Sequence, residues 1–75
     1  MTVTYQEREV QVELLAGKHY DSATGRITNE GCIDSDVIAR DFVTDNGDGS
    51  FFYNDVLHDR VLYIDNAGNV YKLDI

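Results

Sequence analysis

The hydrophobic pattern is clearest at the C-terminal end. In DRVLYIDNAGNVYKLDI, two β-rich runs at residues 61–64 and 70–73 flank a short polar segment, and Gly68 in that segment can take a positive φ and close a three-residue hairpin loop. With Asn66, Ala67 and Gly68 as the loop, Tyr63 stands opposite Tyr71 and Val61 opposite Leu73. Leu62, Ile64 and Val70 then crowd the other side. A strand that is apolar on both faces needs cover on both, so the pattern predicts a helix or another element on one face and a partner subunit on the other.

Further upstream, ARDFVTDNGDGSFFY predicts a second hairpin, residues 42–44 pairing with 51–53 across a Gly-rich turn. Between them and the N-terminal third, DSDVIARDF offers Asp34 or Ser35 as an N-cap, an acid in the first turn, and Val37, Ile38 and Phe42 at near-helical spacing, which predicts a short helix. The first third carries two competing patterns. Thr4 to Glu7 fits a capping box and Gly17 a helix stop, giving a helix over 5–16; VQVEL instead alternates Val10, Val12 and Leu14 with polar residues, and this strand pattern is preferred. KHYDSATGRITNE then predicts a third hairpin, residues 18–21 returning as 26–28 around Ser-Ala-Thr-Gly. The expected fold is class α+β: one small domain over residues 1–75, an antiparallel sheet of four to six strands with one short helix packed on it.

Composition narrows the reading. A chain of 75 residues buries about 60–65% of the surface its unfolded form exposes, so its core is small, but a 43% apolar content with five Tyr and three Phe is enough to fold. A lone cysteine, Cys32, permits no internal disulfide, and neither an export signal nor 18 consecutive apolar residues is present, so a soluble cytoplasmic protein is expected. The balance of 14 acids against 6 bases, a net of -8, disfavours direct contact with nucleic acid and favours a basic partner. That charge is lopsided. Asp34, Asp36, Asp41, Asp45, Asp48, Asp55 and Asp59 share their segment with a single base, Arg40.

Candidate chemistry is sparse. Residues 44–55 are similar to an EF-hand or dockerin calcium loop over twelve positions, with Asn46, Asp48, Gly49, Ser50 and Asp55 in ligand or turn positions. The similarity departs at Thr44 in the first position, Phe52 in the ninth and the short Asp55 in the twelfth, so an acidic hairpin turn is the preferred reading and no metal or cofactor is expected. Cys32 and His58 lack the spacing of a nucleophile and its base, and with His19 they lack the paired spacing of a zinc site, so no enzyme is expected. HYDSATGRITNE and YIDNAGNVYKL each resemble the tyrosine–aspartate repeats of large β-shell toxins, and nothing functional follows from that.

In size, acidity and lack of motifs the whole chain resembles the small acidic proteins that phages make against host defences, of the anti-CRISPR and anti-restriction type. That resemblance implies a non-enzymatic inhibitor that mimics DNA and occludes the basic surface of a nuclease or CRISPR surveillance complex. The seven aspartates would form its acidic face and Phe51, Phe52 and Tyr53 its apolar anchors. The alternative is a small structural or assembly module, a homodimer through the C-terminal hairpin, whose acidity serves solubility.

Overall fold

Hydrogen-bond demand decides the N-terminal third in favour of strands. In the computed structural model, which describes residues 1–31 and 35–75, the chain opens as a hairpin: β1 (Thr2–Tyr5) pairs with the start of β2 (Arg8–Asp21), Val3 opposite Val10 and Tyr5 opposite Arg8. Gln6 and Glu7 close it with φ of 50° and 65°, the mirror-image turn whose twist matches that of the strands. Six further strands follow in chain order: β3 (Arg26–Asn29), β4 (Ser35–Val37), β5 (Val43–Asp45), β6 (Phe51–Asp55), β7 (Arg60–Ile64) and β8 (Asn69–Leu73). They form one antiparallel sheet in the order β4-β3-β2-β8-β7-β6-β5, with β1 off this path and paired to the first residues of β2.

The expected α+β class is corrected to all-β. Eight strands replace the four to six predicted, and helical geometry among the described residues is limited to two 3-10 turns, Arg40–Phe42 and Val56–His58. The predicted helix fails because residues 35–37 find a partner elsewhere in the chain: Ser35, Asp36 and Val37 pair with Thr28, Ile27 and Arg26. Its proposed cap at Asp34 lies outside the described residues, and the alternative cap, Ser35, accepts a hydrogen bond from Arg26 Nη1 at 3.2 Å.

The three predicted hairpins are present, the second shifted by one residue: its first strand is 43–45 instead of 42–44, and Phe42 falls in the 3-10 turn before it. Tyr63 stands opposite Tyr71 and Ile64 opposite Val70. Val43 to Asp45 pair with Tyr53 to Phe51, and Lys18 to Asp21 pair with Asn29 to Arg26, with Ser22 to Gly25 as the loop.

The sheet is curled, and its connections require it to be. Seven strands laid flat span about 29 Å between the outer two, whereas the path from Val37 at the end of β4 to Val43 at the start of β5 covers six residue steps, about 20 Å at full stretch. The edges therefore bend toward each other.

Each face of the central strands carries its own core. Phe51, Tyr53, Leu62, Ile64 and Val70 meet Ile27 and Ile38 on the inside of the curl, joined by Leu15, Tyr20 and Val43. On the other side Phe52 and Leu73 meet Val10, with Val3, Tyr5, Val12, Val61 and Tyr63 around them. One long strand serves both. Val10 and Val12 of β2 belong to the second core, and strict alternation would send Tyr20 there as well. A bulge between Leu14 and His19 resets the register, Gly17 sits within it at φ 83°, and Tyr20 turns to the first core instead, edge-on to Phe51 at 5.1 Å. The second cover, expected from a partner subunit, is thus supplied by the chain's own first hairpin.

Candidate functional site

The seven aspartates have different fates. Asp34 lies outside the described residues. Asp48 sits in the β5–β6 turn, where its Oδ1 accepts the Ser50 backbone N–H at 2.9 Å and the Ser50 hydroxyl at 2.5 Å. These bonds, the hydroxyl first, hold its carboxyl below the usual aspartate range. Asn66 of the neighbouring β7–β8 turn donates to the Asp48 carbonyl at 2.8 Å. Asp48 therefore works as a turn brace: residues 44–55 form a β-hairpin with Asp45 opposite Phe51, and the carboxylates the calcium loop would need to converge, Asp48 and Asp55, are committed to different places. Among the described residues no group of three or more His, Cys, Asp or Glu is placed to hold a metal ion.

Asp55 is turned inward. At the end of β6, opposite Arg60, it is buried, and one oxygen, Oδ2, receives both Arg60 Nε at 2.9 Å and His58 Nδ1 at 2.8 Å. Burial pushes its carboxyl up, but the bonds from His58 and Arg60 outweigh this and leave it below the ordinary range. The cluster fixes the 3-10 turn between β6 and β7, whose last residue is His58. It is a positioning device in which the ring N–H and the guanidinium donate to one carboxylate.

The sign of its pH dependence follows. A carboxyl depressed in the folded state stabilises fully above its unfolded value and loses that contribution as pH falls through the folded one. Wild-type stability should therefore drop on acidification, and Asp55→Asn, about 2–3 kcal/mol less stable near neutrality because Arg60 loses its charged partner, should show a flatter profile. Urea midpoints measured from neutral pH into the acid range check this, and parallel profiles for the two proteins would refute it.

The remaining four, Asp36, Asp41, Asp45 and Asp59, are exposed, as is Asp48. Asp36 lies on β4, Asp45 on β5, and Asp41 in the 3-10 turn on the segment that bridges those two sheet edges. These three line a seam made of the two outer strands and the segment that joins them. Asp45 meets Arg40 at 3.7 Å, a solvent-exposed pair worth under about 1 kcal/mol that leaves most of the local charge uncancelled. Asp59 stands apart, after the Val56–His58 turn, in the left-handed conformation at φ 51°.

The expected aromatic anchors are corrected. Phe51, Phe52 and Tyr53 are all buried, Phe51 and Tyr53 in one core and Phe52 in the other. Three consecutive aromatics on a strand covered on both faces leave none for solvent. The large apolar side chains that do reach solvent near the acids are Val37, Phe42, Val56 and Leu57. Sequence reasoning assigned Val37 and Phe42 to a helix and passed over Val56 and Leu57, although VLH directly after an aromatic strand was a legible signal of apolar residues at a turn.

Fold and site together define a small all-β protein, a curled sheet with two cores and an acid-lined seam. No helix among the described residues is long and apolar enough to cross a membrane. No sequence family, no curated protein and no solved structure matches the chain.

Proposed function

We propose that the chain is a non-enzymatic acidic binding protein that occludes a basic, phosphate-binding surface on a nucleic-acid-handling complex, acting as anti-CRISPR and anti-restriction proteins do. The observation that carries this reading is the seam: Asp36, Asp41 and Asp45 exposed on or between the two converging sheet edges, on a chain of net charge -8. Carboxylates held close to the backbone offer a cationic groove a surface resembling phosphates, and such complementarity gives fast, salt-sensitive association. The homodimer reading loses its premise, because the C-terminal hairpin is covered on both faces from within the chain.

The test is a pull-down from bacterial lysate with the immobilised chain at low and high ionic strength, captured proteins being identified and then challenged with duplex DNA as competitor. Wild type should retain nucleic-acid-binding proteins at low salt and release them to DNA, while Asp36→Lys/Asp41→Lys/Asp45→Lys should retain them at least about tenfold less. Asp48 is left unchanged because its loss would disturb the turn it braces. Retention indifferent to salt, DNA and charge reversal would overturn the proposal.

A further inference from the structure

Leu57 is 93% exposed, at the centre of the three-residue turn between β6 and β7. A single exposed leucine is ordinary, but this one has uncommon surroundings. Its backbone is pinned from both ends, by the buried Asp55 carboxylate bound to His58 and Arg60 and by the Asp59 N–H donating to the Val56 carbonyl at 3.2 Å, with Asp59 held at φ 51°. It also has company from a distant part of the sequence. Leu57 and Val37, twenty positions apart, line one cavity of about 170 Å³ together with Asp36 and His58, above a floor that includes Ile27 and Tyr53. Val37, Val56 and Leu57 are all exposed, so a rigid apolar projection stands beside an apolar-floored notch.

We propose that the Val56–Leu57 turn is the apolar anchor of the docking surface, inserted into an apolar socket of a partner whose rim is basic. The inference rests on the reading that the acidic side is the docking side, and it replaces the buried aromatics as the source of short-range affinity. The rim chemistry follows from charge complementarity: Asp36 lines the notch beside the leucine, Asp59 follows the turn, the cation on the lining, Arg60, is already paired with Asp55, and the whole chain carries -8, which opposes a second copy of itself as occupant. An anchor whose turn is already fixed loses little conformational freedom on binding. Burying a leucine side chain should account for a ten- to hundredfold share of the affinity, by order of magnitude.

A displayed random twelve-residue peptide library, selected on the folded protein, tests this without knowledge of the natural partner. Enriched peptides should combine Arg or Lys with a large apolar residue, and synthetic copies should bind Leu57→Asp about ten- to hundredfold more weakly than wild type. The variant's unfolding midpoint should be unchanged, since the side chain is in solvent. Backbone amide shifts on adding the peptide should centre on residues 56–59 and 36–37.

Absence of enrichment, equal binding to Leu57→Asp, shifts centred elsewhere, or dimerisation of the chain through this turn would each overturn the inference. The charge-reversed triple variant separates the two proposals. Peptide binding that depends on Leu57 and not on the seam acids refutes the acidic reading alone, and the opposite outcome refutes the anchor alone.

Discussion

Replacing Gly68 by alanine is expected to lower stability by about 2–4 kcal/mol, a large part of the roughly 4–11 kcal/mol available to a domain of this length. Two costs combine. Gly68 sits at φ 87°, where an L side chain is strained by about 1–2 kcal/mol. A Cβ there would also lie 2.7 Å from the His19 ring and 2.8 Å from the Tyr20 carbonyl oxygen. The ring can swing away, but the carbonyl cannot, because the Tyr20 N–H donates to the Gly68 carbonyl at 2.8 Å and locks the two segments together. Overpacking of that kind adds about 1–2 kcal/mol, the lower part of its usual range, since only the carbonyl resists. Gly47 provides the control, with the same φ of 87° and open space around its would-be Cβ, so Gly47→Ala should cost the strain alone. Urea unfolding of both variants decides it; equal losses would mean that the contact between the β7–β8 turn and β2 is not tight.

Phe52→Ala should be more damaging still, about 3–5 kcal/mol. Phe52 is the hub of the second core, its ring 4.9 Å from that of Tyr5 on β1 and 5.4 Å from that of Tyr63 on β7. Removing it opens a cavity between the first hairpin and the central strands. The contrast is with Leu57→Ala, which should stay within about 0.5 kcal/mol of wild type. If Phe52→Ala proved as mild in denaturant titration as Leu57→Ala, the assignment of buried ring and exposed anchor would have to be reversed.

Local signals made much of this fold legible. The Asn-Ala-Gly turn with its flanking β-branched and aromatic residues carried the register of the last hairpin, down to Tyr63 opposite Tyr71. The apolar run VLYI, without alternation, correctly demanded cover on both faces. What defeated sequence reasoning was pairing at a distance. Residues 35–37 have respectable helix signals, yet the free edge of β3 offers them hydrogen bonds that a short isolated helix lacks tertiary support to match. The β1–β2 turn escaped notice because Gln6 and Glu7 adopt positive φ without being glycine or asparagine.

Part of the site was misread for a related reason. Acids were counted along the chain, whereas Asp55 is buried against His58 and Arg60, and Asp48, though exposed, braces its own turn through Ser50. In hindsight, Asp55, His58 and Arg60 at spacings of three and two residues around VL could have suggested a clamped turn.

The free edges of the sheet have a further consequence. β4 and β5 are three residues long and β1 four, and the first two carry Asp36 and Asp45. A foreign strand approaching any of them finds too few backbone groups for a lasting ladder and, at two of the three, a charge in its way. A chain this rich in aromatic and β-branched residues is thereby guarded against fibril growth by geometry and by carboxylates together.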